Sequence, residues 1–368
     1  MVIDPYFSAT KLRWLIDNAK NAKTLMRSFS LLIGTSDSWL VWKMTGGRYV
    51  ITDPATASRT MLFNIHKMKW DDDMLQLFNI NRESIPEVVQ NSGELAYTDP
   101  KSFLGIQAPI SGLIVDQQAA LFGHGCFNEG DLKNTYGTGC FTLMNIGNYP
   151  KLSRHGLLTT VAWVLDGTTK FALDGGVYTA GSAIDWLVNG LGIIKSPAET
   201  DELASSIPSN EELYFVPAFV GLAAPYWDST ARGTMIGMTD RTTKANIARA
   251  TLEAIVYQVD DVLRCMEADS GLTVSKLIVD GGPTGNRFLM QFQANITGVP
   301  VEVPDFSEVT TKGTALLAGL GVNFWDDVSE IIDSTKKTTY KPKMRSDERR
   351  HLISGWRRAV TRSRGWNA

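Results

Sequence analysis

The sequence predicts a two-domain protein of mixed α/β class, and three observations support this. At 368 residues the chain is too long for one ordinary hydrophobic core. Twice, a short apolar run ends in an acid and passes into a turn or helix: Leu113-Ile-Val before Asp116, and Leu277-Ile-Val before Asp280. Between these units lie β-rich runs broken by glycine turns and one long helical stripe, Ile255, Val259, Val262, Leu263 and Met266.

The elements follow in order. Ser8 is positioned to cap a helix through Lys11-Leu-Arg-Trp-Leu-Ile, with Asp4-Pro5-Tyr6-Phe7 as the turn before it. Thr35 to Lys43 reads as an aromatic-rich helix closed by Gly46-Gly47. Asp71 to Phe78 reads as a helix with acids in its first turn, where they suit the macrodipole. Leu113 to Val115 reads as a buried strand. Asn134 to Asn145 reads as a hairpin around Gly137-Thr138-Gly139, and Leu157 to Leu173 as a second strand pair around Asp166-Gly167. Thr243 starts the long helix. Val299 to Val303 is a short strand and Thr311 to Val322 a small-residue helix. The arginine-rich end is an amphipathic, solvated helix.

Composition excludes several classes. Hydrophobic residues make up 43% and charged residues 20%, as in a soluble globular protein. The net charge of −3 gives no general attraction to nucleic acid or to an anionic membrane. Cys126, Cys140 and Cys265 lack metal or redox spacing, so reduced thiols in the cytoplasm are the expectation. His66, His124, His155 and His351 are scattered, and each reads as a surface or core histidine. No run is long and apolar enough to cross a bilayer, and no secretory pattern opens the chain.

Three places carry candidate chemistry. Asp116 closes an apolar run, where ligands of open α/β sheets bind, and a carboxylate there can take a proton from an attacking hydroxyl. The plain alternative is that Asp116 only caps the next helix. The Gly137-Thr138-Gly139 turn exposes backbone N–H groups, and the threonine hydroxyl at its tip can meet a phosphate, although many hairpins carry glycine at the turn. Gly281-Gly282 after Asp280 lets a flat ligand approach the backbone, and Asn286 can hydrogen-bond a base or ribose. An ordinary strand-to-helix turn is the alternative.

Two stretches resemble the signatures of the FGGY carbohydrate kinases: Tyr6-Phe-Ser-Ala-Thr-Lys-Leu-Arg-Trp-Leu-Ile-Asp-Asn, and Gly233-Thr-Met-Ile-Gly-Met through Asn246-Ile-Ala-Arg-Ala-Thr-Leu-Glu. Ser58-Arg-Thr-Met-Leu-Phe-Asn-Ile-His, Asp116-Gln-Gln-Ala-Ala-Leu-Phe-Gly, Thr135-Tyr-Gly-Thr-Gly-Cys-Phe and Pro225-Tyr-Trp look like the branch of that family that acts on glycerol. The resemblance covers essentially the whole chain. It implies an actin-like, ribonuclease H-like sugar kinase fold of two domains, 1–123 on the polyol side and 124–368 on the nucleotide side. It implies transfer of a phosphoryl group from ATP, with Mg2+, to glycerol, another polyol or sugar being the near competitor. Asp116 matches the catalytic base and a magnesium-associated carboxylate. Tyr6, Asp116, Gln117 and Phe141 match polyol-contacting positions. Gly137, Thr138 and Gly139 match the γ-phosphate turn, and Gly281, Gly282 and Asn286 the adenine-nucleotide contacts. Arg241 falls near the nucleotide, where many members carry glycine.

The resemblance also implies that the family's opening strand and glycine-threonine phosphate loop lie outside this sequence. The first domain is then incomplete, and the chain is a fragment, a truncated product or one half of a split protein. On that reading it keeps nucleotide binding but transfers phosphate poorly alone. The expected assembly is a homodimer or homotetramer, or a complex with a chain that supplies the missing segment.

Overall fold

Seven strands form the largest sheet of this computed structural model, which describes residues 4–331 and 335–367. Their order is Lys337–Tyr340, Val301–Pro304, Leu277–Asp280, Leu132–Tyr136, Cys140–Gly147, Thr168–Val177 and Leu158–Leu165. Leu277–Asp280 runs parallel to both of its neighbours, and the remaining pairs are antiparallel. The two glycine-turn hairpins read from the sequence therefore lie side by side in one sheet. Leu132, Leu173, Val259 and Val262 share the main core with the long helix Lys244–Ser270. Thr243 and Asn246 form a capping box at the start of that helix, and Gly271 in the left-handed conformation ends it.

The first 123 residues carry short helices and three two-stranded pairings. Ile51–Thr52 is parallel to Glu87–Val88, while Phe63–Asn64 with Lys69–Trp70 and Ser92–Tyr97 with Pro109–Gly112 are antiparallel. Two local expectations change here. Leu113 to Val115 is not a strand, because the strand ends at Gly112. Asn91 takes over Leu113 instead: its carbonyl accepts from the Leu113 N–H at 2.9 Å, and its side chain donates to the Leu113 carbonyl at 2.8 Å. With both backbone groups satisfied off the ladder, the segment needs no strand partner. Ser8 lies inside the helix Ser8–Asn18 rather than capping it. The carbonyl of Thr60 accepts from the Ala9 N–H at 3.0 Å, which serves one of the free donors at the helix start.

The helix Asp116–Gly123 is the element around which the two halves meet. The small-residue helix Val309–Gly321 packs against it almost backbone to backbone. A Cβ at Gly313 would lie 1.9 Å from the Ala119 carbonyl oxygen, so no larger residue fits there. Its two ends are also tied to the seven-stranded sheet, as described next.

Candidate active site

Asp116 opens its helix as an exposed first-turn acid, with extended Val115 as the cap. Its side chain lies at the positive end of the helix dipole. Gln117 holds that carboxylate: its backbone N–H donates to Oδ1 at 2.8 Å and its side-chain amide to Oδ2 at 3.1 Å. The amide oxygen of Gln117 in turn accepts from Lys133 Nζ.

Lys133 is fully buried in the strand Leu132–Tyr136. It also donates to Thr135 Oγ1 at 2.9 Å and to the Phe141 carbonyl at 3.2 Å. Three acceptors satisfy the three protons of an ammonium, the condition under which a buried charge is tolerated. Burial pulls its pKa below the ordinary lysine value, and nearby Asp280, Asp174 and Asp116 oppose that shift. At the other end of the helix, His124 Nε2 lies 2.6 Å from Asp280 Oδ2. Burial resists ionisation of Asp280, but His124 and Lys133 outweigh it and hold the carboxyl below its ordinary value. Burial keeps His124 below its own ordinary value, against the pull of Asp280. A neutral imidazole facing a carboxylate must donate, so Nε2 carries the proton. The helix that carries Asp116 is thus tied at both ends to neighbouring strands of one sheet, where Asp280 pairs in register with Thr135.

The Gly137-Thr138-Gly139 turn is fixed through its carbonyls. Gly181 N–H donates to Gly137 O at 3.0 Å, and Ala180 N–H, Ser182 N–H and Ser182 Oγ donate to Thr138 O at 2.9, 3.1 and 3.0 Å. Among the described residues the Thr138 side chain makes no hydrogen bond, and the residue is exposed. A cavity of about 780 Å³ lies elsewhere; the one beside this turn measures about 620 Å³. Gly137, Thr138, Gly181, Asp185, Gly282 and Asn286 are among its lining residues. Its volume falls within the range typical of small-molecule sites. Gly281 has φ of 96°, and a Cβ there would lie 1.9 Å from the Tyr136 carbonyl oxygen. Only glycine permits the nucleotide-side turn to approach the hairpin so closely. Asn286 caps the helix Arg287–Thr297 by accepting from Leu289 N–H and donates to Thr200 Oγ1 at 3.0 Å.

Tyr6 sits beside a buried ion pair. Arg59 Nη2 lies 2.6 Å from Asp174 Oδ2 and donates to the Tyr6 hydroxyl oxygen at 3.0 Å. The Tyr6 ring is about a third exposed, yet its hydroxyl end is desolvated, and desolvation followed by Asp174 pushes the phenol up to about 12. The phenol keeps its proton and, with its oxygen occupied by Arg59, has that proton to donate. Phe141 stands opposite Gly176 in the sheet.

The structure therefore gathers Asp116, Gln117 and the Phe141 backbone through Lys133, and Gly137, Thr138, Gly282 and Asn286 around one cavity. Arg241 is not among them. Its side chain is 76% exposed and lies 3.7 Å from Glu211. Sequence reading passed over Arg59, Lys133 and the His124–Asp280 pair. Arg59 lay in a segment singled out for resemblance. Lys133 gave no signal, since a lysine in a strand ordinarily faces solvent.

The model of the FGGY family of carbohydrate kinases, N-terminal domain, matches residues 1–123, and that of its C-terminal domain matches residues 132–322. The chain belongs to the FGGY family of carbohydrate kinases. It is 51% identical to glycerol kinase 2 of Thermotoga maritima over 367 residues, which is 100% of this chain and 74% of that protein. It is 50% identical to a glycerol kinase of Carboxydothermus hydrogenoformans, again over 100% of this chain and 73% of the relative. The crystal structure of Plasmodium falciparum glycerol kinase with ADP superposes with a TM-score of 0.89 at 36% identity, covering 98% of this chain and 72% of that one. Xylulose kinase of Lactobacillus acidophilus, at 22% identity and a TM-score of 0.83, shares the fold, covering 98% of this chain and 74% of that one. The fold is thus the two-domain FGGY sugar kinase form of the actin-like ATPases, and the family's chemistry is phosphotransfer. The chain spans about three quarters of the length of these relatives. Among the described residues no helix is long and apolar enough to cross a membrane, and all three cysteines are free.

Proposed function

We propose that this FGGY chain transfers the γ-phosphoryl group of ATP to a primary hydroxyl of glycerol, giving glycerol 3-phosphate. The observation that carries this reading is the join between acid and turn. An exposed carboxylate, Asp116, is oriented by Gln117, and Gln117 is linked through buried Lys133 to the hairpin that presents Thr138. The relatives at about 50% identity that carry the name glycerol kinase favour glycerol over other polyols.

Asp116 accepts the proton of the attacking hydroxyl, and Gln117 keeps its carboxylate in one orientation. Tyr6 donates a hydrogen bond to the polyol, with Arg59 fixing the ring. Phe141 and the hairpin bound the polyol on the sheet side. Thr138 Oγ1 and the N–H groups of the turn receive the γ-phosphate, while Gly281, Gly282 and Asn286 accommodate the adenosine end. Phosphoryl transfer of this kind depends mostly on positioning and electrostatics.

The cavity is lined by glycines and apolar side chains such as Ile184, Pro197 and Pro283, with Thr138 and Asn286 among its polar groups, and fits an adenine nucleotide. Mg2+ typically takes one or two carboxylates along with phosphate oxygens and waters, so the exposed Asp116 carboxylate suits it. Among the described residues no cluster of three or more His, Cys, Asp or Glu is built to hold a metal by itself. When bound, the ion neutralises charge on the transferring phosphate.

The test is ADP release by the purified protein with ATP and glycerol, xylulose or gluconate in turn. The proposal expects the highest kcat/KM with glycerol. A higher kcat/KM with either of the others overturns it.

A further inference from the structure

The larger of the two cavities, about 780 Å³, lies away from the site just described and shares no lining residue with it. One wall is the C-terminal helix Ser346–Ser363, and the other is formed by the ends of Lys244–Ser270 and Arg287–Thr297. Five arginines line it: Arg264, Arg349, Arg350, Arg357 and Arg358. Arg264 is fully committed, pairing with Asp260 at 3.0 Å and Glu267 at 2.8 Å and donating to the Thr297 carbonyl at 2.6 Å. Glu267, the acid of the lining, is occupied by that pair and by the Val274 N–H at 3.0 Å.

The other four differ. Among the described residues none of Arg349, Arg350, Arg357 and Arg358 makes a side-chain hydrogen bond or ion pair. They form two adjacent pairs eight residues apart on one helix, about 12 Å along its axis. Gly298 allows Arg349 to lie over the end of its helix, since a Cβ there would fall 1.9 Å from Arg349 Nη1. Buried Asp260 and Asp261 offset part of the charge of Arg349 and Arg357, but the forked donors of all four guanidiniums stay unused.

We propose that this cleft is an anion site for a small molecule carrying two or more phosphate groups, one group for each arginine pair. Guanidinium forks match phosphate bidentately, and the cavity is of ligand size. The ligand bridges the pairs along the helix and takes up their free donors. The site is separate from the nucleotide cavity, so the two fill independently.

The test is calorimetric titration of inorganic tripolyphosphate into protein already saturated with ADP, at fixed ionic strength. Saturable one-to-one binding is expected. The Arg349→Ala/Arg357→Ala double variant should bind about tenfold more weakly or worse, as loss of charge-assisted contacts requires. ADP affinity should be unchanged. Lysine at both positions should recover only part of the affinity, because it restores charge but not the fork. Arg350→Ala/Arg358→Ala, at exposed positions, provides a second variant should the first fold poorly. Absence of saturable binding in the ADP-saturated protein, or wild-type affinity in the folded alanine variants, overturns the proposal.

Discussion

Gln117 grips the carboxylate of Asp116 at both oxygens, through its own N–H at 2.8 Å and its amide at 3.1 Å. A carboxylate held this way presents its remaining lone pairs in one direction, as a general base needs. Gln117→Leu keeps the backbone bond and removes the side-chain bond. Hydrogen bonds to charged groups contribute about 1.5–3 kcal/mol, so kcat should fall by roughly ten- to a hundredfold. ADP affinity should not change. Steady-state kinetics beside an ADP titration check this, and a change confined to ADP affinity would count against the orientation role.

Lys133 acts one step further back. Its ammonium links Gln117, Thr135 and the Phe141 carbonyl. Burial lowers its pKa from the ordinary 10.5, so it loses its proton at a less alkaline pH than a free lysine. Activity that needs the ammonium is present below the lowered pKa and lost as pH rises through it. The wild-type kcat profile should therefore fall on its alkaline side below pH 10.5, and Lys133→Met should start low and lack that limb. A structural role alone would lower thermal stability without changing the shape of the profile. An identical alkaline limb in the variant would remove Lys133 from positioning Gln117.

We propose that Thr138 meets the γ-phosphate of ATP and not the phosphates that ADP retains. Its carbonyl is anchored by three donors, while its hydroxyl is left for a ligand. Thr138→Ala should therefore leave the backbone turn intact. We expect kcat to drop by about tenfold or more, the value of one such contact, with ADP binding nearly unaffected. An equal loss of ADP affinity would place the hydroxyl at the wrong phosphate.

Much of this was legible in the residues and some of it could not be. The Thr138 turn and the Gly281-Gly282 turn are local patterns, in which paired glycines report their own geometry, and Asp116 stands out as an acid opening a helix. The start of the long helix at Thr243 and the Asp166-Gly167 hairpin were legible for the same reason. Leu113 to Val115 misled because Asn91, 22 residues away, satisfies the Leu113 backbone. Lys133 and the His124–Asp280 pair were invisible because their partners come from other elements, up to 156 residues distant. Arg241 is likewise set by the fold around it, its side chain 76% exposed and 3.7 Å from Glu211. Residues whose partners are local announce themselves, and residues that join elements do not.

The central claim is that Asp116 removes the proton from glycerol while taking no part in adenine binding. It is tested most directly by comparing Asp116→Asn with the wild-type protein in glycerol-dependent ATP turnover and in ADP titration on the same preparations. Asparagine keeps the size of the side chain and cannot take up the proton. The account predicts that kcat falls by about 10²–10⁴-fold, the usual contribution of a general base, while the ADP dissociation constant stays the same. A variant that keeps near-wild-type kcat would contradict it.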